Sequence, residues 1–146
     1  MANGLRMPDG RNVMTINRTE MDILELRAYC LSLPLADEAI PFDETTLVYR
    51  VAGKMFMLAD IDDPEWINLK CDPDRAIELR DRYAEVLPGY HMNKRHWNTV
   101  RLDGDLPERL VREWIADSYR LVVRGLPKAR QAEIAELVRL SGQPLL

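Results

Sequence analysis

The densest run of chemistry-bearing side chains in this sequence is Pro88-Gly89-Tyr90-His91-Met92-Asn93-Lys94-Arg95-His96-Trp97-Asn98-Thr99, which holds both histidines of the chain. It also holds two consecutive cations, two amides and two aromatics, and no acidic residue. These are the side-chain types that contact phosphates, hydrogen-bond base edges and stack on bases, so nucleic-acid contact is the chemistry they suit. The competing reading is a solvated turn between strands, with Trp97 packed locally. His91 and His96 are five apart, which suits neither one helical face nor one strand face. No Cys-x-x-Cys or His-x-x-x-His pair accompanies them, so no metal site is expected. A hydrolase elbow, a Walker loop and a dinucleotide-binding glycine fingerprint are all missing, and Ser32, Ser118 and Ser141 fall in helical or terminal contexts. No nucleophile or orienting carboxylate stands beside either histidine. The expectation is a non-enzymatic protein without a cofactor.

The elements that must position this run follow from periodicity and punctuation. Thr19 as a cap with Asp22 three residues on predicts a helix whose stripe is Ile23, Leu26, Cys30 and Leu33, ended by Pro34. Asp37, Glu38, Asp43 and Glu44 read as an acidic loop and a solvated face, with no EF-hand spacing. The period then changes to two in Thr46 to Val51. Ala52-Gly53-Lys54 turns the chain into a second strand, Met55 to Ile61. Asp62 to Glu65 reads as another turn and Trp66 to Cys71 as a third strand of a meander. Asp72-Pro73 predicts a helix start reaching Tyr83 or Ala84. Further on, His96 to Leu102 reads as a strand. A long helix opens at Pro107, with Leu110, Val111, Trp114, Ile115, Ser118, Leu121 and Val122 on one face, and a short helix spans Lys128 to Leu140.

That order predicts an α+β domain, a single antiparallel sheet with helices packed on one face. Alternation then turns Arg50, Trp66, Asn68, Lys70, Trp97, Thr99 and Arg101 to the other face. Two tryptophans among three cations form a recognition surface if that face is open, and a packed layer if the C-terminal helix covers Trp66 and Trp97.

The 146 residues suit one domain. Residues 1–17 read as a flexible leader, 18–128 as the domain and 129–146 as a C-terminal helical extension. No apolar run approaches the roughly 18 to 20 residues that span a bilayer and no signal-peptide layout is present, so a cytoplasmic location and no membrane partner are expected. Cys30 and Cys71 lie among apolar residues as buried thiols do. The net charge of -4 argues against indiscriminate polyanion binding. It is unevenly spread, with 6 basic against 12 acidic side chains in residues 1–65 and 14 against 12 in residues 66–146.

The central run, with Leu69-Lys70-Cys71-Asp72-Pro73, Leu102-Asp103-Gly104 and Asp117-Ser118-Tyr119, closely resembles the MmcQ/YjbR family of small bacterial proteins. Pro41-Phe42 and Gly53-Lys54 are similar to its pattern too, and the resemblance runs from about Thr19 to Lys128. It implies a CyaY-like, frataxin-related fold with a double-wing arrangement of hairpins, and a DNA-binding role. On that implication Lys54 sits at a hairpin tip, Lys70 at a strand end, and His91, Asn93, Lys94, Arg95, His96 and Trp97 in a contact loop, with Arg101 beside it. The acidic net charge implies weak DNA binding with a shallow salt dependence, or a partner or dimer that enlarges the basic patch. The alternative is a protein-interaction module on the open sheet face, anchored by Trp66, Asn68 and Trp97. A frataxin-like iron role is the weaker third reading and rests on Glu20, Asp22 and Glu25.

Overall fold

The computed structural model describes residues 22–142, so the leader and the Thr19 cap lie outside the described residues. Helix α1, Ile23–Ser32, is capped by Asp22, whose carboxylate accepts from the Leu24 amide at 2.9 Å. Asp22 is thus itself the N-cap, the role its short carboxylate fills best, rather than the third residue of a capping box. Leu26, Cys30 and Leu33 are buried as the spacing predicts, with Ile23 packed at the margin of the same core.

The acidic loop requires a correction. Ala36–Ala39 is a strand, β1, antiparallel to β2, Thr46–Val51. Asp37 and Glu38 point to opposite sides, and each meets a cation. Arg50 of β2 binds Asp37 at 2.9 and 3.0 Å, and Arg27 of α1 binds Glu38 at 2.7 and 3.1 Å. Only beyond β1 does the acidic stretch behave as a loop, where the Asp43 carboxylate accepts from the amides of Thr45 and Thr46.

The β2–β3 turn is the two residues Ala52 and Gly53, with φ of 49° and 83°, the mirror-image turn that matches strand twist. Lys54 therefore opens β3, Lys54–Asp60. The next turn is Ile61-Asp62, and Asp63, Pro64 and Glu65, expected in the turn, begin β4, Asp63–Lys70. Pro64 is tolerated because the register jumps there, from Asp60↔Asp63 to Ala59↔Ile67, leaving residues 64–66 out of the ladder with β3.

Asp72 caps α2, Pro73–Arg82, accepting from the Arg75 amide, with Pro73 opening the helix. Strands β5, Val86–Pro88, and β6, Trp97–Arg101, flank the motif loop, and α3, Glu108–Arg124, and α4, Lys128–Ser141, complete the chain. The six strands run in the order β1-β2-β3-β4-β6-β5, each neighbour antiparallel, so the α+β expectation holds.

All four helices feed one core on one side of the sheet, around Leu26, Phe56, Ile67, Leu79, Ile115 and Ile134. Tyr119 stands edge-on to Phe56 at 5.4 Å, and its hydroxyl donates to the Pro34 carbonyl at 2.6 Å. Ser118 is fully buried. Its hydroxyl donates to the Phe56 carbonyl at 2.6 Å and accepts from the Lys70 amide at 2.9 Å, fastening α3 to β3 and β4. A second, smaller cluster of Val48, Leu58 and Trp97, with Met55 and Met92, lies on the other side.

Candidate binding groove

The motif loop, residues 89–96, is held by its own polar groups. Gly89 donates to the Trp97 carbonyl at 2.9 Å, and a Cβ at residue 89 would stand 2.8 Å from Trp97 Cβ, so only glycine fits this approach. The Asn93 side chain accepts from the Arg95 amide at 2.9 Å, and Lys94 Nζ donates to the Gly89 carbonyl at 3.2 Å. From α2, Arg80 donates to Asn98 Oδ1 at 2.7 Å and also to the Lys94 carbonyl. Asn93 and Lys94 thus each use one polar group to shape the loop.

Trp97 points to the open face as alternation predicts. It is only 7% exposed, packed among Val48, Leu58, Met55 and Met92. A ring so enclosed presents no face for a base or a protein partner, which corrects both roles expected of it. Its cover is this cluster of strand and loop side chains, and not the C-terminal helix. Trp66 is half-buried, with the Arg101 guanidinium 5.5 Å from its ring centre, and Arg101 is bound by Asp103 at 3.1 Å through two nitrogens. Asn68 accepts from the Thr99 hydroxyl at 2.6 Å, and that hydroxyl accepts from the Tyr90 amide at 2.8 Å.

The register places Lys54, Lys70 and His96 with Arg95 toward one end of the sheet, since Val51 pairs Lys54, Lys70 pairs Trp97, and the Cys71 amide donates to the His96 carbonyl. Trp66 pairs Arg101 at the opposite end. The nine residues expected at DNA thus do not form one patch. Lys54, Lys70, Arg95 and His96 come together, while Arg101 lies apart.

What the open face does contain is a groove of about 890 Å³. Met55, Leu58 and Trp66 line it from the sheet, and the exposed Leu87 lines it from β5. Phe42 and Tyr90, 64% and 68% exposed, line it from the two flanking loops. Asn68, Thr99 and His91 add polar atoms, His91 with φ of 60° and its ring 4.0 Å from that of Tyr90. The charged lining consists of Asp43, Asp60 and Asp63, with no lysine or arginine. Asp43 is held below the usual carboxylate range by the Thr45 and Thr46 amides, so it stays ionised. Beside the groove, Asp63 raises the Glu65 carboxyl through a shared hydrogen bond and like charge, the mark of concentrated negative potential. In the sequence Phe42 enters only with Pro41 as part of a family pattern, and Asp43 and Asp63 only as loop and turn residues, with nothing to place them at a groove. A lone aromatic after proline in an acidic stretch was the available signal for Phe42, but the groove joins residues 42 to 99 and exists only in the fold.

Both cysteines are free. Burial pushes the Cys30 thiol up to about 12 and the half-buried Cys71 thiol up to about 11, so neither is an activated nucleophile. Among the described residues no group of three or more His, Cys, Asp or Glu side chains is placed to hold a metal ion. Of the carboxylates raised for iron, Glu20 lies outside the described residues and Asp22 is occupied as a helix cap. No helix among the described residues is long and apolar enough to cross a membrane.

Comparison with known proteins agrees with the motif resemblance. The YjbR family model matches residues 31–121. The chain is 39% identical over 105 residues to the uncharacterized protein YbdF of Escherichia coli O157:H7, across 71% of this chain and 86% of YbdF. It is 32% identical over 118 residues to the uncharacterized protein YjbR of Escherichia coli K12, across 80% of this chain and all of YjbR. Among solved structures, the Deinococcus radiodurans protein DR2400, described with a DUF419 domain, superposes with a TM-score of 0.74 at 41% identity, covering 80% of this chain and 90% of DR2400. A Pseudomonas syringae protein superposes with a TM-score of 0.60 at 28% identity, covering 69% and 98%. With the matched segment running from α1 into α3 and enclosing the groove's sheet and motif loop, the chain belongs to the YjbR family.

Proposed function

We propose that this protein is a non-enzymatic interaction module whose open sheet face takes a partner segment carrying apolar and basic side chains. The observation that carries this reading is the groove itself, a concavity of about 890 Å³ with exposed aromatics at its rim and carboxylates as its charged lining. Aromatic side chains supply contact area at small entropic cost, and carboxylates select lysine or arginine on the partner. His91 in a left-handed conformation beside Tyr90 adds backbone strain of the kind that clusters at binding sites.

Selection of random displayed peptides on the full chain, followed by NMR titration of the enriched ones, tests the reading. The expected sequences combine aromatic or aliphatic residues with lysine or arginine, shift the Trp66 indole signal, and bind at least about fivefold more weakly to Tyr90→Ala and to Asp63→Asn. Acidic enriched peptides, or binding indifferent to both substitutions, would sink it.

DNA binding is the second reading, supported by the gathering of Lys54, Lys70, Arg95 and His96 at one end of the sheet. The side chains of Lys54, Lys70 and Arg95 make no ion pair among the described residues. It requires that Lys54→Ala with Arg95→Ala abolish binding to a mixed pool of labelled single-stranded and duplex DNA while Tyr90→Ala leaves it intact. The interaction module requires the reverse ranking for its peptide.

A further inference from the structure

On the helix side of the sheet, α2 packs on β5 and β6 while α3 packs on β2, β3 and β4. The helices meet where Tyr83, at the end of α2, stands edge-on to Trp114 of α3 at 5.2 Å. Between them opens a cavity of about 180 Å³. Leu69, Val86 and Val100 line it from the sheet, Leu79 from α2, and Trp114 and Leu121 from α3.

Its polar lining is of a different character from the groove's. Arg75, Arg120 and Arg124 stand against two carboxylates, Asp72 and Asp117. Arg75 is bound to Glu78 at 2.8 Å, a pair that leaves some of its five guanidinium donors unused, and Arg120 is bound to Asp117 at 2.7 Å. Arg124 makes no ion pair among the described residues. A second, independent sign comes from Trp114, whose indole N–H is buried without an acceptor in the protein. Buried donors are rarely left so, and this one belongs to a side chain of the cavity wall.

We propose that this cavity binds a small organic acid, a monocarboxylate with an aromatic or branched aliphatic body. The body enters between Leu79 and Leu121, where a space of this size suits a single ring. The carboxylate meets the arginines, with Arg124 as the cation it gains. The Cys71 thiol, pushed up to about 11 by burial, lines the cavity as a neutral group and does not oppose the anion.

The test is an NMR titration of the full chain with 3-phenylpropionate and, as its uncharged match, 3-phenylpropanamide. The acid is expected to shift the Trp114 indole N–H, identified by its loss in Trp114→Phe, together with the Leu69, Val100 and Leu121 amides. Binding is expected to be about tenfold weaker for the amide, and about tenfold weaker for the acid in Arg124→Gln, an exposed site whose change leaves the fold alone. Leu121→Trp, which fills the cavity, is expected to abolish the shifts, and the Arg124→Gln comparison stands on its own should that variant fold poorly. No saturable shift up to about 10 mM, equal affinity for acid and amide, or shifts confined to Trp66 and Tyr90 would each overturn the proposal. Because the groove lies on the other side of the sheet, failure here leaves the peptide reading untouched.

Discussion

Ser118 shows how a motif can be legible in sequence while its role is not. As a helical serine it offers no signal of its own, yet its hydroxyl carries two hydrogen bonds that join three elements. Ser118→Ala leaves the Phe56 carbonyl and the Lys70 amide without that partner, and is expected to cost about 1 to 3 kcal/mol. The urea unfolding midpoint reads it; a change below about 0.5 kcal/mol would mean that water or strand movement replaces the hydroxyl. Lys94 teaches the converse. A cation in a basic run reads as a ligand contact, yet its ammonium is turned back onto the Gly89 carbonyl of its own loop. Composition reveals which groups are present, and only the folded loop reveals that one of this ammonium's three donors is engaged within the loop.

At the scale of elements, boundaries marked by proline, glycine and capping carboxylates were readable, as at Asp72-Pro73 and Ala52-Gly53. Strand β1 was not, because its alternation is polar on both sides and each carboxylate is answered by an arginine distant in sequence. That tie has a pH signature. The Arg27 hydrogen bond lowers the Glu38 carboxyl below its ordinary value, with burial opposing. A carboxylate depressed in the folded state stabilises above its unfolded pKa, near about 4.3, and loses that contribution as pH falls through the folded value. The Arg27 side chain is 45% exposed and that of Glu38 22%, so solvent screens the pair in part and the effect is small. Arg27→Gln is therefore expected to lower stability slightly at about pH 7 and to match the parent once Glu38 is protonated, near about pH 2. Parallel urea titrations at the two pH values check it; a difference that persists in acid would assign the loss to packing instead.

Over the whole molecule, charge is sorted in space more sharply than along the chain. The open face is lined by carboxylates, the cavity between α2 and α3 is rimmed mainly by arginines, and one sheet end holds three cations that make no ion pair among the described residues. Three such cations set a ceiling on polyanion binding, since each neutralised phosphate contributes about 0.9 to the salt exponent. Fluorescence anisotropy with duplex DNA is accordingly expected to give a log–log slope no steeper than about -3, and a steeper one would show that further cations are recruited. Groove and cavity alike escaped the sequence because each is assembled across the sheet from segments far apart.

The two outermost strands deserve a last consideration. One spans four residues and carries Asp37 and Glu38; the other spans three and ends in Pro88, which has no amide hydrogen to offer. Edges so short and so interrupted are poor templates for another chain's backbone, the device by which sheets resist runaway edge-to-edge stacking. A molecule with aromatic side chains open to solvent on one face can then remain dispersed at high concentration. A partner of the proposed kind would then be recognised by side chains laid across the strands, and not by becoming a seventh strand.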